Sequence, residues 1–377
     1  RHRLRLRLLH LCLPISQPAR APFSRGEGRI AQGRGVCMST GKTLMIRSSP
    51  HIAGGQSVDA IMLHVVLALL PVCLFAVYTF GLVALALLTT AVVSCVGTEH
   101  FLCRLAGRRT TIDDWSAAVT GILYGLTLPP GLALWMVVVG GVCAVGIGKA
   151  LFGGLGCNPF NPALVGRALL QAAFPAAMTT WPPIPANRFA TLTSSSLAWP
   201  FTRPEYDAIT GATPLANWKF DRVATETSEL LLGTTSGSIG ETSAVLILLG
   251  GVYLVARGKM SWRIPVAVLL TVAVASAGLQ WMDSERYAGP LFMISSGGLM
   301  LGAVFMATDP VGSPMTHAGC VVYGVLIGIL VVTIRVWGGM PEGVMYSILL
   351  ANAVTPHIDN WIQPRVYGSN ARWETHD

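Results

Sequence analysis

Ten apolar stretches follow one another between residues 58 and 356, and they restrict the chain to folds that live in lipid. They lie near 58–79, 82–99, 114–129, 131–152, 160–177, 243–257, 263–282, 289–307, 316–337 and 341–356. Charged residues make up only 12% of the chain, against about 25% in soluble domains. Lipid offers a backbone no hydrogen bonds, so it admits only helices and closed barrels, and runs of this length predict helices. The expected fold is an all-α integral membrane protein of about ten transmembrane helices. A crossing needs about 20 residues. Several of these stretches are shorter, which predicts tilted, broken or re-entrant segments among them.

The formal net charge of +8 does not point to nucleic acid, because much of the surplus lies in the first 47 residues and the rest flanks apolar stretches. Lys42 and Arg47 precede the first stretch. Arg104, Arg108 and Arg109 follow the second, Lys149 and Arg167 flank the loop between the fourth and fifth, and Arg257, Lys259 and Arg263 crowd that between the sixth and seventh. Arg365 and Arg372 close the chain. With ten crossings all of these fall on one side, the cytoplasm by the positive-inside rule. The opposite loops are poor in Lys and Arg apart from Arg286 and Arg335. Both termini are therefore expected in the cytoplasm, and the one long polar loop, 178–242, outside it.

Residues 1–45 begin without Met and run through Arg, Pro and Gly in no clear order. They are expected to be a disordered or non-native extension, with the start at Met38 or Met45. The remaining chain divides into a first transmembrane half, 46–177, the extracytoplasmic loop 178–242, a second half, 243–358, and a cytoplasmic tail, 359–377. Two loops look alike. Asn158-Pro159-Phe160-Asn161-Pro162 follows the fourth stretch, and Asp309-Pro310-Val311-Gly312-Ser313-Pro314 follows the eighth. Each carries two polar–Pro pairs at the mouth of a new helix, where Pro suits the first turn. They suggest an internal repeat of five helices per half. An odd number makes the halves inverted, as in many transport folds.

Polar groups among apolar stretches are costly and therefore candidates for function. Asp309, Asn158 and Asn161 are candidates for an ion pathway; the plainer reading of Asp309 is a helix N-cap. Lys149 either faces an anionic group or extends to the interface. His64 reads as a hydrogen-bonded core histidine. The eight cysteines contain no Cys-x-x-Cys pair and lie mostly in apolar stretches, so no iron–sulfur or zinc framework is expected. No Gly-x-Gly-x-x-Gly follows a strand, so no dinucleotide site is expected either.

The long loop holds Asp207-Ala208-Ile209-Thr210-Gly211-Ala212-Thr213-Pro214. Its residues suit an ordinary turn. The run also resembles Asp-x-x-Ser/Thr-Gly/Ala-Ala-Thr, the pattern on which a flavin transferase attaches FMN by a phosphoester to the last Thr. Around it stand, in order, Ser48-Ser49-Pro50-His51, Asn158-Pro159-Phe160-Asn161-Pro162-Ala163, Gly237-Ser238-Ile239-Gly240-Glu241-Thr242-Ser243, Ala307-Thr308-Asp309-Pro310, Glu342-Gly343-Val344 and Leu349-Leu350-Ala351-Asn352. As an ordered set, over about residues 46–365, they resemble the RnfD/NqrB family, and within it the D subunits of the Rnf ion-translocating ferredoxin:NAD oxidoreductase.

The resemblance implies a bacterial inner-membrane subunit that carries electrons through FMN between ferredoxin and NAD, coupled to Na⁺ or H⁺ movement. It is not catalytic alone. Thr213 would hold the FMN on the periplasmic side, with Asp207, Thr210, Gly211 and Ala212 completing the transferase's pattern. Gly237, Ser238, Gly240 and Glu241 are candidate flavin contacts, as a helix start whose free N–H groups face an anion; capping by Glu241 is the plainer reading. Riboflavin is a candidate second flavin. The implied partners are the A, B, C, E and G subunits of the complex, the flavin transferase and membrane lipids. Two other readings stand beside this one: the B subunit of a sodium-pumping NADH:quinone reductase, and a transporter-like scaffold without redox activity.

Overall fold

The computed structural model describes residues 57–364, apart from 109, 183–188, 190–193, 201–210, 212, 224, 227–228, 231–232 and 234–236. The extension 1–45, residues 365–377 of the tail, the Ser48–His51 run, and Asp207, Thr210 and Ala212 of the loop lie outside the described residues. All that follows concerns the unit Gly55–Asp377.

Apolar stretches become helices where a cap and a break allow it. Ser57 accepts the Ala60 N–H and starts α1, Val58–Phe80. Gly81, at φ 70, turns the chain into α2, Leu82–Leu105. The third stretch gives only α3, Ser116–Leu126, before the Pro129–Pro130 corner. Then come α4, Leu134–Gly146, and α5, Pro162–Ala173. Beyond the long loop, Ser243 accepts the Leu246 N–H and opens α6, Ala244–Ala256, followed by α7, Arg263–Met282. Two short pieces, α8 (Pro290–Ser295) and α9 (Leu299–Leu301), lead into a π turn, Gly302–Met306. The chain ends in α10, His317–Trp337, and α11, Val344–Trp361.

Five segments are long and apolar enough to cross a membrane: α1, α2, Leu134–Phe152, α7 and α10. Among the described residues the other apolar stretches form shorter or interrupted helices. At 1.5 Å per residue, α3, α5 and α6 reach only about 16–20 Å, short of the roughly 30 Å hydrocarbon layer. The stretch 289–307 is not one helix. It breaks at Ser296-Gly297-Gly298, where Gly297 has φ 69. Composition sees a continuous apolar run there, and the backbone does not continue through it.

Packing repeats in the two halves. In the first, α2 lies against α3 and α4, and α4 against α5. In the second, α7 lies against α8 and α10, and α10 against α11. Small residues make the approaches possible, as is usual between helices in lipid. A Cβ on Gly121 of α3 would stand 2.6 Å from Val92 Cα, and one on Gly324 of α10 would stand 2.6 Å from the Ala267 side chain. Gly125 and Gly328 follow four residues later on the same faces. The halves meet where α1 packs on α6 and α5 on α11. His64 on α1 and the Tyr253 hydroxyl on α6 share a 2.7 Å hydrogen bond, the satisfied core histidine that its position suggests.

Candidate functional site

Helix α5 connects two polar regions, and its sequence explains why. Asn161 has extended backbone, accepts the Ala163 N–H and sets Pro162 in the first turn, so the helix starts there. The Asn161 amide also donates to the Met306 carbonyl at the end of the π turn, 3.2 Å away. Six residues on, about 9 Å along the axis, Arg167 turns to Glu342, with Nη2 3.3 Å from Oε2. The sequence reading of Arg167 as a loop-flanking charge is thereby corrected: it is an interior residue of α5.

Thr213 lies at the Arg167 end. A cavity of ≈ 350 Å³ is walled by Thr213, Gly211, Ala216, Arg167, Gln171, Glu342, Met345, Tyr346, Met178, Trp181 and Phe220, among others. Thr213 is buried, and its hydroxyl oxygen accepts the Ala216 N–H, capping the short turn Pro214–Ala216. Gly211 N donates to the Trp181 carbonyl, which fixes this part of the loop to the cavity wall. Beside the cavity is a cluster of two arginines and two glutamates. Glu342 Oε1 accepts the Gly298 N–H at 2.6 Å. Gly298 borders Glu241 as well. Arg335, buried in the last turn of α10, donates to the Met293 and Ser296 carbonyls. Arg167 Nε, Arg335 Nε and Glu241 Oε1 are sealed from solvent without a hydrogen-bond partner. Burial, and next the Glu342 carboxylate, push the Glu241 carboxyl up to about 7.

Gly237, Ser238, Gly240 and Glu241 do not line the Thr213 cavity. Gly237 and Ser238 lead into a 3₁₀ turn, Ile239–Thr242, which contains Gly240 and Glu241 and is held by the Ile239 N–H on the Leu128 carbonyl. Glu241 does not cap α6; Ser243 does. Gly240 is needed for contact: a Cβ there would stand 2.9 Å from the Leu126 carbonyl oxygen.

The other end of α5 borders a second cavity, of ≈ 80 Å³, which brings the two similar loops together. Asn158, Asn161, Thr308 and Asp309 line it with Ser116, Lys149 and Lys259. Asn158 is buried with Oδ1 unpartnered. Asp309 does not cap a helix, contrary to the plainer reading of its sequence. It accepts the Val311 N–H in a tight turn, and the next helix waits until Thr316 caps α10. Burial pushes the Asp309 carboxyl up to about 6. Lys149 borders this cavity, and the anionic group that it faces is Glu99. It is buried, with Nζ 2.8 Å from both Glu99 oxygens and 2.6 Å from Ser116 Oγ, and Thr111 also donates to Glu99. Sequence reasoning missed Glu99, Arg335 and the role of Arg167. The available signal was an ionisable residue inside an apolar stretch, which calls for a named partner.

Broken helices that gather polar side chains at two cavities, inside an apolar helical shell, define a helical membrane protein with sites at its helix breaks. The chain belongs to the NQR2, RnfD, RnfE family, which it matches over residues 45–368. It is 43% identical over 329 residues to the D subunit of the Na(+)-translocating ferredoxin:NAD(+) oxidoreductase complex of Acetobacterium woodii, covering 86% of this chain and 95% of that protein. It is 41% identical over 334 residues to the D subunit of the proton-translocating ferredoxin:NAD(+) oxidoreductase complex of Clostridium ljungdahlii, covering 86% and 96%. The D subunit of the ion-translocating oxidoreductase complex of Stutzerimonas stutzeri is 41% identical over 340 residues, covering 84% and 94%.

Proposed function

We propose that this chain is the D-type membrane subunit of an ion-translocating ferredoxin:NAD oxidoreductase complex, and that Thr213 carries FMN as a phosphoester. The observation that carries the reading is the setting of Thr213, a buried hydroxyl at the wall of a ≈ 350 Å³ cavity that also holds Arg167 and three aromatic side chains. Such a cavity is of ligand size. The residues fit the group. Arg167 offers a guanidinium to a phosphate, Trp181, Phe220 and Tyr346 offer faces and edges to a flat ring, and Gly211 lets the chain lie close to Trp181. Bound there, FMN supplies one- and two-electron transfer. The chain's own part is to hold it: Glu342 keeps Arg167 oriented at the wall, and the Gly298 N–H keeps Glu342 in place.

The second cavity is the proposed ion pathway. Its unpartnered Asn158 Oδ1 and the Asp309 carboxylate are oxygen acceptors of the kind hard cations take. The named relatives divide between protons and Na⁺ at nearly equal identity. The basic residues Arg108, Lys149 and Lys259 gather at this end; Arg108 donates to the Gly153 carbonyl of the adjoining loop. That grouping supports a cytoplasmic position for this cavity and a periplasmic one for Thr213. The matching packing of α2–α5 and α7–α11 supports two inverted five-segment halves. The A, B, C, E and G subunits and a flavin transferase are the proposed partners.

Membrane vesicles from a strain lacking the chain, complemented with wild type or Thr213→Ala, test this. Ferredoxin-dependent NAD reduction and ion uptake return together with wild type and fail with Thr213→Ala. Full activity of the Thr213→Ala vesicles would refute the electron-carrying role. Unchanged ion uptake in Asp309→Asn, with electron transfer intact, would refute the pathway.

A further inference from the structure

A third pocket, of ≈ 110 Å³, opens between the last turns of α7 and α10, and the functions proposed above make no use of it. Lys219, Arg222, Arg286 and Arg335 reach its wall together with Tyr287 and Trp337, and among the described residues no acidic side chain lines it. Four cations so grouped repel one another unless an anion joins them. Their hydrogen bonds do not supply one. Lys219 Nζ donates to the carbonyls of Arg335, Gly338 and Met340. Arg222 donates to the Arg286 carbonyl. The Arg286 guanidinium lies 5.7 Å from the Tyr287 ring centre. Asp283, nearby, is occupied by the backbone N–H groups of Glu285 and Arg286. The two ion pairs among the described residues, Lys149–Glu99 and Arg167–Glu342, lie elsewhere. Glu342 and Glu241 act electrostatically on Arg335, and among the described residues no carboxylate pairs with Lys219, Arg222 or Arg286.

Two further observations point to a ligand and say where it comes from. Arg335 is only 4% exposed and its Nε has no partner. The pocket also sits among side chains suited to a lipid interface. Trp281 at the end of α7 is 92% exposed, Trp337 at the end of α10 is 61% exposed, and Phe220, on the loop element that carries Lys219, is exposed as well. Exposed tryptophans at the ends of membrane helices mark the headgroup level, and basic pockets between such helices suit anionic headgroups.

We propose that this pocket binds a phosphate group, supplied by the headgroup of an anionic phospholipid. Lys219 and Arg222 brace the loop 217–222 against the helix ends, and Arg286 at the mouth faces the phosphate. Thr213 does not line this pocket, so the inference does not rest on the flavin reading.

The test uses the full chain in lipid nanodiscs, with native mass spectrometry of retained lipid. In mixed phosphatidylcholine and phosphatidylglycerol, wild type and Thr213→Ala retain phosphatidylglycerol preferentially. Arg286→Ala, at an exposed position, lowers that retention about fivefold, the weight of one basic residue at a membrane surface. If inorganic phosphate binds in pure phosphatidylcholine, and Arg286→Ala weakens it, the phosphate site stands with a free source. Equal retention of both lipids with no binding of inorganic phosphate overturns the proposal, and so does binding indifferent to Arg286→Ala.

Discussion

Arg167 and Glu342, 175 positions apart in the chain, form an ion pair across the wall of the Thr213 cavity, N to O 3.3 Å. The pair joins α5 of the first half to a residue two positions before α11 of the second. It also sets the one basic side chain that lines this cavity among the described residues. Removing one partner leaves the other charge poorly compensated. Arg167→Met is expected to lower stability by about 2–3 kcal/mol, somewhat less than a fully sealed pair because both side chains keep some exposure. Arg167→Met combined with Glu342→Leu recovers most of that. Reversible unfolding in detergent of the four proteins of this cycle measures the coupling; additive losses would deny it.

Lys149 and Glu99 give the stronger case, since both are almost completely buried. Lys149→Met leaves the Glu99 carboxylate with Thr111 alone and is expected to cost about 3–5 kcal/mol. Adding Glu99→Gln makes the site neutral and restores most of the loss. If Lys149→Met alone unfolds no more readily than wild type in the same assay, the buried pair is not a structural bond.

Asn161 has two separable tasks. Asn161→Ala removes the cap of α5, worth about 1 kcal/mol, and the hydrogen bond to Met306, worth about 1 kcal/mol more. Asn161→Asp keeps the capping oxygen and loses only the donor. Thermal unfolding is expected to rank them wild type, Asp, Ala; an Asp variant as stable as wild type would mean that the link between the halves contributes nothing, and equal losses in both variants that the cap contributes nothing.

Glu241 predicts a pH dependence. Its folded carboxyl is raised to about 7 from an ordinary 4.5, so the folded state holds a proton that the unfolded state has lost between those values. Stability from this group therefore falls as pH rises from about 4.5 through 7, and the penalty is complete above 7. Glu241→Gln is expected to be more stable than wild type at pH 8 and to lose that advantage near pH 5. Parallel pH profiles for the two proteins would remove Glu241 from the account.

Hydropathy alone located most of the helices, because lipid leaves an apolar run few alternatives. It failed at 289–307, where Ser296-Gly297-Gly298 breaks the backbone without breaking the hydropathy. The two polar–Pro loops read as equals and fold differently. Asn161 has Pro162 directly behind it and starts a helix. Asp309-Pro310 is followed by Gly312 and Pro314, so α10 waits for Thr316. The cavity that the two loops share was hidden for a physical reason: Asn161 and Met306 meet only through tertiary packing, 145 positions apart. Lys149 with Glu99, and Arg167 with Glu342, were hidden in the same way. The glycines of α3 and α10 were readable as four-residue repeats of small side chains, since close helix approach in lipid requires them. The proposed attachment run at Thr213 was readable because such a pattern is local in sequence, whereas the cavity beside it is assembled from four separate segments.

The most direct test of the central claim is covalent flavin on Thr213. The chain is expressed with a flavin transferase, denatured, separated on a gel and viewed under ultraviolet light beside Thr213→Ala. The account predicts a fluorescent wild-type band and a dark Thr213→Ala band of equal protein content. A dark wild-type band beside a fluorescent control acceptor, or equal fluorescence in both, would contradict it.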